Sequence, residues 1–69
     1  MGKLPSSTEI IKYLERKGFH YVSQRGSHRK YKKQGKVVIV PHPKKEIPIG
    51  TFRSIKRQSG LSWKDFKIK

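Results

Sequence analysis

The sequence has no cysteine. No disulfide, thiolate metal site or thiol nucleophile is therefore available, and the absence of thiols suits a reducing cytoplasm. Acids are nearly as scarce. Glu9, Glu15, Glu46 and Asp65 face eighteen lysines and arginines, for a net charge of +14. A two-metal nuclease needs several carboxylates converging on ions about 4 Å apart, and four acids scattered along the chain do not supply that. No apolar run approaches the roughly 18 residues of a membrane span. Met1-Gly2-Lys3-Leu4 lacks the apolar core of a signal peptide. No internal repeat, linker or low-complexity tract is visible. The expectation is one domain over residues 1–69, soluble and cytoplasmic, with no small-molecule cofactor and no membrane partner.

What is abundant is positive charge. Such imbalance repels itself in a compact chain and calls for a polyanionic partner. Nucleic acid leads, because neutralising phosphates with Lys and Arg releases counterions. A membrane surface fits less well, since no helix sets a Trp/Leu face against a Lys-rich one. An acidic protein is compatible with the same charge.

The local patterns read as α-β-β-β-α. Ser6-Ser7-Thr8-Glu9 has the form of a capping box. Ile10, Ile11 and Leu14 follow at helical spacing, and Gly18 is a good stop, so a helix is expected over about residues 7–17. Phe19 to Gln24 reads as a strand, with His20 packed beside the helix end. Arg25-Gly26-Ser27 is a turn, residues 28–33 a second strand centred on a core Tyr31, and Gln34-Gly35 another tight turn. Val37-Val38-Ile39-Val40 is the clearest strand, closed by Pro41. Pro48 suits the first turn of a last helix over about 49–59, with Ile49, Phe52 and Ile55 as its apolar stripe and Gly60 as its end. Trp63 and Phe66 are placed to cover the edge of the core. The expected core includes Ile10, Leu14, Val38, Val40, Phe52 and Ile55. Two helices on one face of a three-stranded antiparallel sheet make an α+β two-layer domain.

The chemistry centres on His28. Histidine both takes and gives a proton near neutral pH. Here it stands in Gly26-Ser27-His28, inside a run with no acid between Arg16 and Lys45. Ser27 beside it does not make a nucleophile–base pair, because adjacent strand residues point to opposite faces. His20, His28 and His42 match no local zinc spacing, so no metal site is expected. Cleavage of RNA without a metal fits these residues. RNA carries its own nucleophile, the 2′-OH, and needs a base, an acid and cations for the charge on the transition state. His28 is the candidate catalytic group. Arg25, Arg29, Lys30 and Lys32 are candidates to hold RNA phosphates, and His42 is the candidate second proton carrier. Tyr21 is a candidate to stack on a splayed base.

These residues carry a family resemblance. Gly26-Ser27-His28, then Gly35, then Val38-Ile39-Val40-Pro41-His42-Pro43, then Ile49-Gly50-Thr51-Phe52-Arg53 through Gly60-Leu61 resemble a HicA-type mRNA interferase toxin. The resemblance runs from the first helix to Phe66. It implies a double-stranded-RNA-binding-domain-like α-β-β-β-α fold, ribosome-independent cleavage of mRNA, and His28 as the catalytic histidine. It also implies a HicB-type antitoxin that covers the toxin and represses their shared operon. Ordinary double-stranded-RNA-binding domains open their last helix with a lysine cluster. This chain has Gly50-Thr51 there, with Lys44 and Lys45 further upstream, so their duplex-binding mode is not carried over. The alternative, from a different class, is a non-catalytic nucleic-acid-binding module. Replacing His28 separates the two, because only an enzyme loses cleavage while keeping binding.

Overall fold

The computed structural model describes residues 3–66. Its elements are α1 (Ser7–Arg16), β1 (His20–Arg25), β2 (His28–Lys33), β3 (Lys36–Pro41) and α2 (Ile49–Ser59). The strands form one antiparallel sheet in the order β1-β2-β3. The order of elements and the sheet are those of the α+β, double-stranded-RNA-binding-domain-like fold expected from the sequence.

α1 starts where its side chains satisfy the orphan donors of the first turn. The Ser6 hydroxyl accepts the Glu9 N–H at 3.1 Å, and Glu9 Oε1 accepts the Ser6 N–H at 2.8 Å. At the other end, Lys33 reaches across from β2 and donates to the Lys17 carbonyl at 2.6 Å. A cation there opposes the negative end of the helix dipole. Lys33 is thus part of the scaffold, which its place in a basic run did not announce.

The core lies between the helices and one face of the sheet. Ile10 and Leu14 of α1, Tyr31 of β2, Val38 and Val40 of β3 and Ile55 of α2 are fully or almost fully buried, with Phe52 at their margin. Val37 is exposed and Ile39 half-buried, so the inward face of the four-residue apolar run is the one carrying Val38 and Val40.

Two expectations are corrected. Ile49 does not join the stripe of α2; it is half exposed, and Ile47 in the preceding loop is buried instead. A backbone bond from Ile47 N–H to the Pro5 carbonyl, 2.7 Å, ties that loop to the start of the chain. His20 does not pack beside α1. Phe19 fills that place, and the ladder sets His20 opposite Lys32 on the exposed face.

After α2 the chain folds back over the core edge. Leu61, Trp63 and Phe66 pack against the core cluster. The buried Ser59 hydroxyl accepts from the Leu61 N–H and the Trp63 indole N–H, both at 3.2 Å. The Tyr13 ring lies 4.4 Å from that of Trp63, and its hydroxyl donates to the Asp65 carboxylate and lies 2.6 Å from the Ser62 carbonyl. Burial, helped by Asp65, pushes the Tyr13 phenol up to about 12.

Candidate nucleic-acid interface

One face of the sheet carries the helices, and the other is open. A strand sends alternate side chains to opposite faces. In β2, Tyr31 is buried under the helices, so His28, Lys30 and Lys32 form a column on the open face, all exposed. Successive members stand about 7 Å apart, two residues of strand rise. The register sets Arg25, Ser23 and His20 of β1 beside His28, Lys30 and Lys32. It sets Pro41, Ile39 and Val37 of β3 on the other flank. The open face is therefore a cationic column with a polar flank and an apolar flank. None of the four acids lies on any strand.

The position of Arg25 depends on a local irregularity. The β1–β2 register slips between Tyr21 and Ser23, leaving Val22 as an extra residue. A bulge of this kind reverses the side-chain alternation beyond it. Tyr21 pairs with Tyr31 on the helix side, and past the bulge Arg25 pairs with His28 on the open side. Without Val22 as an extra residue, strict alternation from Tyr21 would put Arg25 on the helix side.

The same register separates Arg29 from the other three candidate cations. Arg29 is opposite Gln24, on the helix side of the sheet. Its Nε donates to Gln24 Oε1 at 2.8 Å, and its guanidinium lies over the Tyr21 ring, 5.4 Å from the centroid. Tyr21 in turn meets Tyr31 edge-on at 6.0 Å. Tyr21 is half exposed, but its ring belongs to this stack on the helix side.

At the His28 end of the sheet, three segments converge. Gly26 takes φ 58 in the turn that brings β1 back as β2. The Ser27 carbonyl accepts the His42 N–H at 2.7 Å, joining that turn to the end of β3. His42 is half-buried, and its Nδ1 lies 2.8 Å from the hydroxyl of Ser7, the first residue of α1. Next to this contact is a cleft of about 420 Å³ lined by Ser6, Ser7, Thr8, Pro43, Lys44 and Lys45. Ser7 is the residue that sequence reasoning missed. It lies 35 positions from His42, and a serine beside a helix cap reads as part of the cap.

Among the described residues, no group of three or more His, Asp or Glu side chains is placed to hold a metal ion. Nor is any helix there long and apolar enough to cross a membrane.

A family model, described as the HicA toxin of bacterial toxin–antitoxin systems, matches residues 7–61. The match begins with α1 and ends just beyond α2. No curated protein matches the chain.

Proposed function

The chain belongs to the HicA toxin family, and from that premise we propose that it is a metal-independent endoribonuclease that cleaves mRNA through His28. The whole chain acts as one toxin domain in the cytoplasm, where mRNA is met. The observation that carries this reading is the open sheet face: His28 stands at the head of a cationic column, opposite Arg25, on a surface without a carboxylate.

The chemistry uses a nucleophile already present in RNA. The 2′-oxygen attacks the adjacent phosphorus, the O2′–P bond forms, and the P–O5′ bond breaks. One group takes the 2′-hydroxyl proton and another supplies a proton to the leaving O5′. The products are a 2′,3′-cyclic phosphate and a 5′-hydroxyl. His28 is one of these groups. His42 is the candidate for the second: its backbone is tied to the turn before His28 through Ser27, while its ring turns to Ser7 of α1. Arg25 and Lys30 flank His28 and offset the charge that grows on the non-bridging oxygens. Lys32 extends the phosphate track along β2.

A toxin of this family works against an antitoxin. The proposed partner is an acidic, HicB-type protein that lies over the open face and excludes RNA from His28.

Replacing His28 tests the assignment. His28→Ala lowers cleavage by about 100-fold or more, the scale of a lost proton-transfer group, while RNA affinity and folding change little. Cleavage survives chelation of divalent ions, and RNA blocked at the 2′-oxygen is not cut. Normal cleavage by His28→Ala removes that residue from the mechanism. RNA binding without any cleavage by the unaltered protein favours the non-catalytic binding module.

A further inference from the structure

Ser7 is only 1 % exposed, yet its hydroxyl meets three polar groups. The Lys44 N–H donates to it at 3.0 Å. The Lys44 carbonyl lies at 3.3 Å and His42 Nδ1 at 2.8 Å. The Ser7 backbone N–H also donates to the Lys44 carbonyl, at 2.9 Å.

A hydroxyl has one hydrogen and two lone pairs. The Lys44 N–H can only donate, so it takes one lone pair. The Lys44 carbonyl already accepts the Ser7 N–H at 2.9 Å, and its longer 3.3 Å contact with Oγ is a hydrogen bond only if the hydroxyl hydrogen points to it. The remaining lone pair faces His42, and it is matched only if Nδ1 carries a proton. The opposite arrangement, with the hydroxyl donating to a bare Nδ1, turns an oxygen lone pair toward the Lys44 carbonyl. All three contacts are satisfied together in one way: Nδ1–H donates to Ser7 Oγ, and Oγ–H donates to the Lys44 carbonyl. In a neutral imidazole, the hydrogen bond at one nitrogen decides where the proton sits on the other.

We propose that Ser7 is a positioning residue that holds His42 in its Nδ1–H form, so that Nε2 bears the lone pair and is the nitrogen through which His42 exchanges protons with RNA. The proton-exchange part rests on the ribonuclease reading above. When Nε2 takes a proton, the Nδ1–H···Oγ bond and both contacts to Lys44 stay in place. The change of charge therefore requires no rearrangement of hydrogen bonds behind the ring. The bond from His42 N–H to the Ser27 carbonyl ties the backbone of the same residue to the turn that precedes His28.

Long-range ¹H–¹⁵N NMR of the full chain, at a pH where the imidazoles are neutral, reads the tautomers directly. His42 is expected as Nδ1–H, whereas the exposed His20 shows the Nε2–H form that an unassisted histidine side chain favours. In Ser7→Ala, His42 reverts toward the Nε2–H form. The kcat for RNA cleavage then falls about tenfold with KM nearly unchanged, part of the roughly 10²–10⁴ that a placed proton carrier supplies. His42 found as Nε2–H in the unaltered protein overturns the proposal, and that measurement needs no variant to fold. A folded Ser7→Ala with unchanged tautomer and kcat overturns it as well. An unaltered protein that shows the Nδ1–H form but cuts no RNA overturns the ribonuclease reading instead, and leaves the hold of Ser7 on His42 standing.

Discussion

Gln34 is the one non-glycine among the described residues with positive φ, at 47°. It and Gly35, at φ 82°, form the two-residue link between β2 and β3. Tight hairpins of this kind want positive φ at both central residues, which Asn-Gly supplies with least strain. A long side chain adopts that conformation at a cost, because Cβ crowds the following carbonyl. Gln34→Asn is therefore expected to raise stability by on the order of 0.5 kcal/mol, given the several-fold preference of Asn for this region. Urea unfolding of the two proteins checks it, and an unchanged or lower midpoint counts against the strain. The positive φ itself is legible in the sequence, since Gln-Gly between two extended runs leaves few other turns. The role of Ser7 is not legible there, because its hydroxyl acquires meaning only when α1 meets the loop after β3.

Two elements carry consequences beyond their own contacts. The bulge at Val22 divides cations that look equivalent in the sequence, so Arg25 and Arg29 are expected to differ in kind. Arg25→Ala lowers RNA cleavage with little change in stability. Arg29→Ala loosens the contacts to Gln24 and Tyr21 and changes cleavage less. Parallel cleavage and unfolding measurements decide, and equal losses of cleavage from both would dissolve the distinction between the two faces. The segment after α2 sets a second expectation, through pH. Unfolded, Tyr13 releases its proton near the ordinary 10.0; folded, it holds it to about 12. Between these values the unfolded chain binds fewer protons, so stability falls as pH rises. Asp65 acts at the acid end. The hydrogen bonds from Tyr13 and Lys17 hold its carboxyl below the usual value. Its contribution is present above the ordinary carboxylate range and is lost as pH falls through the lowered folded value. Tyr13→Phe should remove the alkaline loss and weaken the acid one. A melting temperature profiled against pH shows both, and an unchanged alkaline limb would assign that loss to another group.

At the scale of the whole molecule, charge sets how partners arrive. Phosphate neutralisation makes affinity fall with salt, with a log–log slope of about −0.7 per contacted phosphate on a single strand. Replacing Lys30 and Lys32 together by Gln is expected to make that slope shallower by about 1.4, if each meets one phosphate. Binding isotherms at several salt concentrations measure it, and an unchanged slope removes the column from the contact set. The proposed acidic antitoxin would meet the same field, which would raise its association rate more than its final affinity. The asymmetry of the molecule makes this effective. The helices cover β2 and β3 on one side of the sheet and leave β1 exposed, and the acids lie on α1, in the loop before α2 and in the segment after it.

The sequence by itself determines what depends on near neighbours. The capping box at Ser6, the β-branched run of β3, the turn glycines and the apolar spacing of both helices act over a few residues, and each element forms where those signals place it. Net charge and the acid-free stretch around His28 are equally plain, because counting needs no coordinates. The tertiary structure decides what depends on register and on meetings between distant segments. One extra residue in β1 sends Arg25 to the open face, while Arg29 stays on the helix side with Tyr21. A loop isoleucine, Ile47, is buried where Ile49 of the helix is not. Ser7 and His42 come together only because α1 packs against the end of β3. A side-chain period of two makes a single inserted residue change faces. A hydrogen bond across 35 positions has no local pattern to announce it.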